Sequence, residues 1–398
     1  MYFQSSPVLR YLQVQCPAMS ESILDRVRST CAAVVQDPLC CVRVDSSALD
    51  RFVSSSSSFT EAAFDALARP TRLPLRFDTL DQELNLHCVL ALLNFGHGFR
   101  RELHAAVDRG AWESVLVGVM SMHVAGAALD ARFFEALTES DVAEHFQLPI
   151  MTDRPHESIP GLAISSPSVL RPFIALVQTV LRDTGARLRQ LGYQRLSQFV
   201  LDTLKPSSAA SATSTAAGPS AAVLVERLVQ CFPAFEDCSV FNGHRVLFLK
   251  KAQFLASEVY TLFGTRDPER FAFKDVDQLT VFVDNVVPAV LRQLGILVLA
   301  PELCTMIDSH VDLSTTRRVE GSAPIVELAG GKSLQDADVQ LRAAAVSACE
   351  EIVALARQRH PWAATLNAKR LDYYLWRLGK EPGYRTVTRH KDQTTFYY

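Results

Sequence analysis

The stretch SVLRPFIALVQTVLRDTGARLRQLGYQRLSQFVLDTL (Ser168–Leu204) decides the class of fold. Within it Leu170, Phe173, Ile174, Val177, Val180 and Leu181 recur at three- and four-residue steps, which places them on one stripe of an α-helix. The same spacing returns in Leu84–Leu93, Trp112–Val119, Val223–Cys231, Ala252–Phe263 and Ala343–Ala356. Strand signals are few. The best is SVFNGHRVLFL (Ser239–Leu249), where Asn242-Gly243 parts two short apolar runs as a tight hairpin does. The chain reads as mainly α, with at most a small β-hairpin.

With 398 residues, 48% hydrophobic and 21% charged, the chain has the profile of a soluble globular protein with a well-buried core. Its net charge of −3 supplies no basic field for long nucleic acid, so no direct tRNA or DNA binding is expected. A small anionic ligand would need a local cluster of Lys or Arg. The nine cysteines contain no CxxC pair and no regular spacing, the pattern of reduced thiols in an intracellular, cytoplasmic protein. The uncharged runs Leu84–Phe99 and Ser114–Leu129 are too short to span a bilayer, and no membrane association is expected.

Residues 1–6, MYFQSS, lack the features of a signal peptide and resemble the scar of a cleavable tag. Pro206–Ala222, PSSAASATSTAAGPSAA, carries no charge and no large side chain, and reads as a flexible linker or surface insertion. It divides the chain into an N-terminal helical half, 7–205, and a C-terminal half, 223–398, with the active site expected between them. Glu320–Asp336 reads as a second loop, and SSSSSFT (Ser54–Thr60) as a loop or helix start.

Several motifs fail on counting. AGGKS (Ala329–Ser333) resembles the end of a phosphate loop, but Val326 stands where the first glycine belongs, and a plain turn is the better reading. NFGHGFRRELH (Asn94–His104) holds two histidines seven apart without a third ligand, so no metal site is expected. No GxSxG is present.

The unusual residue is Asp284 in TVFVDNVVPAVLRQLG (Thr280–Gly295), an acid in an otherwise apolar run. Pro288 and Gly295 bracket a short helix that starts just after it. Asp284 is then either an N-terminal cap or an ionised carboxylate kept in a dry pocket to face a developing cation. Two further segments bear on that choice. Lys250 and Lys251 open the helix LKKAQFLASEVYTLF (Leu249–Phe263), where cations are unfavourable unless an anion binds. In LDYYLWRLGK (Leu371–Lys380), Asp372 and Trp376 lie four apart on one helix face, an acid beside a flat ring suited to a nucleobase, with Tyr373 between them.

These segments, in this order, resemble the queuosine salvage protein family, whose members are queuosine 5′-phosphate N-glycosylases/hydrolases. The similar blocks are VRVDSSALDRFV (Val42–Val53), LNFGHGF (Leu93–Phe99), LVQCFPAFEDCSVFNGHRVLFLKKAQFLASEVY (Leu228–Tyr260), FVDNVVPAVLRQLGIL (Phe282–Leu297), QLRAAAVSACEEI (Gln340–Ile352), LDYYLW (Leu371–Trp376) and FYY (Phe396–Tyr398). The resemblance implies an all-helical fold related to helical DNA glycosylases. It implies hydrolysis of queuosine 5′-monophosphate, a small-molecule substrate, with release of queuine for tRNA modification.

Carried over by position, the resemblance makes Asp284 the catalytic carboxylate and puts Phe282 in the base pocket. Asp372 and Trp376 would contact queuine, Lys250 would lie near the 5′-phosphate, and Asn94 and Phe95 would help form the pocket. Lys251 and Tyr373 join the substrate-binding set by their place beside these residues. No metal or redox cofactor is called for. Asn285-Val286 and Arg377 depart from the family pattern, which leaves open a protein of this fold that binds the base but turns it over weakly. A DNA-repair glycosylase conflicts with the acidic net charge.

Overall fold

Helix Ala337–Arg359 runs through the middle of the protein, buried over most of its length on every side. Its alanines at 343, 344, 345 and 348 let neighbouring backbones approach closely, and helices Ile23–Gln36 and Ser46–Ser55 pack against it. The computed structural model describes residues 21–55, 57, 59–67, 73, 75–156, 158–159, 161–205, 218–317, 328 and 330–398. Residues 1–6, most of the Ser/Ala-rich stretch and much of the 320–336 loop therefore lie outside the described residues.

Each segment with helical spacing is a helix: Leu80–Leu92, Ala111–Val124, Arg171–Leu191, Leu196–Thr203, Ala221–Cys231 and Lys250–Phe263. Arg171–Leu191 turns Phe173, Ile174, Val177, Val180 and Leu181 inward, as the stripe requires. Helix Ala221–Cys231 begins inside the stretch assigned to the linker. The Ser220 hydroxyl accepts the Val223 amide, and Asp275 accepts from the Ala221 and Ala222 amides. Ser54 and Ser55 end helix Ser46–Ser55 rather than start one. Gly330 and Gly331 form a positive-φ turn, in keeping with the plain reading of AGGKS.

The Asn242-Gly243 hairpin pairs Cys238–Phe241 with His244–Leu247, and both turn residues have positive φ. Two further pairs carry no clear signal in the sequence. Val42–Val44 pairs with Leu297–Leu299, only three residues each, and Met151–Pro155 with Ala163–Pro167, whose side chains are mostly exposed and lack an apolar alternation. The first pair joins the two sequence halves, and one hydrophobic cluster runs through both.

The backbone before Lys250 fixes the site. Leu249 is fully buried at φ 55°, a left-handed conformation uncommon for a branched side chain. It is held there by Asp237, whose carbonyl accepts the Phe248 and Leu249 amides and whose carboxylate accepts the Lys250 amide. Arg342, from the central helix, grips that carboxylate with two bonds of 3.0 and 2.6 Å. The guanidinium lies 4.0 Å from the Phe248 ring and 4.4 Å from the Tyr398 ring.

Candidate active site

Asp284 sits on a buried segment without regular secondary structure between Thr280 and the helix Val286–Gln293. Gln253 pins one end of it by accepting the Thr280 amide, and Arg342 donates to the Val283 carbonyl near the other. The carboxylate is only 2% exposed. Its Oδ1 accepts the Val286 amide at 2.7 Å, so Asp284 does cap the helix. Its Oδ2 lies 3.3 Å from His97 Nε2 and is not used by the cap. The residue is both a cap and a lining group of a cleft.

Burial alone would push the Asp284 pKa up. The His97 ring, the Lys250 ammonium, the Val286 amide and the Arg389 guanidinium outweigh it and hold the acid below the ordinary carboxyl value. Burial drives His97 down to about 3, so its ring is neutral at pH 7 and the lasting charge support comes from Lys250 and Arg389.

The cleft encloses about 820 Å³ including its mouth. Seven of the residues singled out in the sequence line it: Asp284, Phe282, Asp372, Tyr373, Trp376, Lys250 and Asn94. Lys250 donates to the carbonyl of Asn94 at 2.8 Å and to its Oδ1 at 3.1 Å. Burial lowers its pKa to about 8, partly countered by Asp284.

Two residues do not belong there. Lys251 points 100° around the helix from Lys250, into the protein. It donates to the carbonyls of Leu92 and Phe396 and lies over the Phe95 and Phe396 rings. Phe95 is equally buried behind the wall, packed on Phe173. Neither lines the cleft. Nor is the start of the Lys250 helix open to a phosphate, because the Asp237 carboxylate already occupies it.

Asp372 faces Asp284's segment from helix Ala368–Leu378 and accepts the Phe282 amide at 2.8 Å. Burial, then repulsion from Asp284, pushes its pKa up to about 8. The two aspartates of the cleft are therefore pushed apart, Asp284 toward its ionised form and Asp372 toward its protonated form, the divergence that separates an electrostatic or basic role from a donor role. Aromatic walls surround the pair: Phe282 meets Phe254 and Tyr373 edge-on, and Trp112 packs edge-on against Phe254.

The sequence reading missed Glu258, His87, Trp112 and Phe254, all of which line the cleft. Lys250, Phe254 and Glu258 stand four apart, so a continued helical count from the lysine would have found two of them. Glu258 accepts the Tyr373 hydroxyl, and burial raises its pKa. Asn285 points away, donating to the carbonyls of His97 and His390. Arg377 lines the cleft. Among the described residues no group of three or more His, Cys, Asp or Glu could hold a metal, and no helix is long and apolar enough to cross a membrane.

Three curated proteins, each named queuosine 5′-phosphate N-glycosylase/hydrolase, resemble the chain. That of Sphaerobacter thermophilus is 28% identical over 304 residues, 75% of each chain. That of Dictyostelium discoideum is 27% identical over 177 residues, 44% of this chain and 48% of the relative. That of Schizosaccharomyces pombe is 28% identical over 174 residues, 43% of each. Residues 180–398, which carry Lys250, Asp284, Asp372 and Trp376, match the family described as queuosine salvage protein, and the chain belongs to that family.

Proposed function

We propose that this chain hydrolyses the N-glycosidic bond of queuosine 5′-monophosphate, adding water at C1′ and releasing queuine and ribose 5-phosphate. The observation that carries the reading is the pair Asp284 and Asp372, two carboxyls buried in one aromatic cleft, with surroundings that pull the pKa of the first down and push that of the second up. Cleavage passes through a sugar with oxocarbenium character, and the ionised Asp284 stabilises that cation or orients the attacking water. Queuine is a 7-deazaguanine without an N7 to protonate, so its departure needs a donor at the pyrimidine edge or N3. Protonated Asp372 is that donor.

Phe282 and Trp376 stack against the base, and Glu258 is the cleft acid left for the amine of the queuine side chain. The substrate is the free nucleotide in the cytoplasm rather than tRNA or DNA, in keeping with a net charge of −3. The active site lies between the halves 7–205 and 223–398, which both supply cleft residues. The test is incubation of the purified chain with queuosine 5′-monophosphate and mass spectrometry of the products. Queuine and ribose 5-phosphate are expected in equal amounts. Saturable binding of queuine with no product over hours rejects the enzyme in favour of a binding protein of the same fold.

A further inference from the structure

Tyr398 is 1% exposed and does not line the cleft, yet it touches three of the elements that build the site. Its ring lies 4.4 Å from the Arg342 guanidinium, and its hydroxyl donates to Asp338 at 3.2 Å, on the same central helix. Its carbonyl accepts the Gly96 amide at 3.1 Å, two residues after Asn94. Its ring also meets that of His390 edge-on at 5.7 Å, and the His390 carbonyl accepts from Asn285, the residue after Asp284.

Arg342 is what these contacts hold in place. Its planar guanidinium divides its donors between two parts of the site. Two bonds go to the Asp237 carboxylate, which seats the Lys250 amide, and two to the carbonyl of Val283, one residue before Asp284. A tilt of that plane moves Lys250 and Asp284 against each other. Phe248, the other ring on the guanidinium, belongs to the segment that leads into Lys250 and moves with it. Tyr398 belongs to neither segment and ties the plane to an independent reference.

The chain that carries Tyr398 is itself closely fitted. Arg317 pairs with Asp392, Lys251 donates to the Phe396 carbonyl, and Gln393 donates to that of Gly98. A β-carbon on Gly98 would stand 2.0 Å from the Asp392 carbonyl oxygen, so the late segment crosses the Asn94 loop with no room for a methyl group. The base-binding walls have a different support. Asp372, Tyr373 and Trp376 come from helix Ala368–Leu378, and Asp372 holds the Phe282 amide to it.

We infer that Tyr398 is a positioning residue for the hydrolysis: by bracing Arg342 and tying down the Asn94 loop, it fixes Asp284 and Lys250 relative to each other without touching the substrate. This rests on reading the cleft as a glycosidase site. Binding of the base is then independent of Tyr398, and the chemical step is not.

The test compares Tyr398→Leu, Tyr398→Phe and Gly98→Ala in the full chain. It reads kcat and KM for queuosine 5′-monophosphate, queuine affinity by calorimetry, and the urea unfolding midpoint. Tyr398→Leu is expected to lower kcat about 10- to 100-fold with queuine affinity kept, because the charged groups shift and the base walls do not. Tyr398→Phe keeps the ring over Arg342 and loses the bond to Asp338, so its midpoint is expected to fall while kcat stays within about threefold. Gly98→Ala displaces the late segment from the other side and is expected to reproduce the kcat loss of Tyr398→Leu. Should Tyr398→Leu fail to fold, the contrast between Tyr398→Phe and Gly98→Ala decides, and equal kcat in those two overturns the assignment. It is also overturned if kcat and queuine affinity fall in step with the midpoint across the variants, the mark of a merely structural residue. Queuine release that Tyr398→Leu leaves intact rejects the positioning role and keeps the glycosidase. An unaltered chain that binds queuine but releases none rejects both.

Discussion

Replacing Asp284 with Asn isolates the charge from the scaffold. In the protein Oδ1 accepts the Val286 amide at 2.7 Å, and the amide oxygen of Asn can do the same, so the start of helix Val286–Gln293 is kept. What disappears is the negative charge that, on the proposed reading, faces the sugar. A single preorganised electrostatic contact at a reacting centre is worth about 10²- to 10³-fold in kcat, or about 2.7–4 kcal/mol. The fall should appear in kcat with little change in KM, because the ground-state sugar carries no charge to be recognised. Asp284→Ala removes the cap as well and should lose about 1 kcal/mol of stability on top.

The same change has a second signature. Repulsion from Asp284 is the next cause after burial of the raised Asp372 pKa, so Asp284→Asn should move the Asp372 titration down from about 8. Single-turnover release of queuine, followed by mass spectrometry between pH 5 and 9, reads both effects. An Asn variant that folds and turns over within tenfold of the unaltered chain, with its alkaline limb unmoved, refutes the reasoning.

Asp372 gives a stability test of its own. Its ordinary value of 3.8 rises to about 8 on folding, so the folded chain holds a proton that the unfolded chain has released. The stability this contributes is full below about 3.8 and is lost as pH rises to about 8. Asp372→Asn should flatten that dependence in denaturant titrations, and an unchanged pH profile counts against a protonated Asp372. Arg342→Met leaves Asp237 charged and buried beneath the Lys250 helix, and should cost about 3–5 kcal/mol, with part recovered in Arg342→Met/Asp237→Leu. A loss under 1 kcal/mol would show that the pair does not hold the site. Lys251→Met strands the Leu92 and Phe396 carbonyls and should lower stability by about 1–3 kcal/mol, with ribose 5-phosphate affinity unchanged. A selective loss of that affinity restores Lys251 to the phosphate site.

How far the site was legible depends on which physical signal each residue leaves. Asp284 is legible because a carboxylate in the run TVFVDNVV violates the apolar pattern around it, and burial without compensation is too unfavourable to be incidental. Asp372 and Trp376 are legible because four residues make one turn and a face. Lys250 and Lys251 are indistinguishable in composition, and only the helix phase separates them. That phase is set by the left-handed Leu249 and its bond to Asp237, a residue twelve positions earlier in sequence. The cavity beside the cleft, lined by Arg100, Arg385 and Arg389, is the least legible feature of this region. Arg100 heads helix Arg100–Val107, while Arg385 and Arg389 lie near one another late in the chain with no periodicity that marks them. Their convergence depends on the late segment folding back over the site, through Gly96 bonding to the Tyr398 carbonyl and Lys251 to that of Phe396. Lys251, grouped with Lys250 in the sequence reading, thus holds the late segment from behind the wall of the cleft instead of lining it.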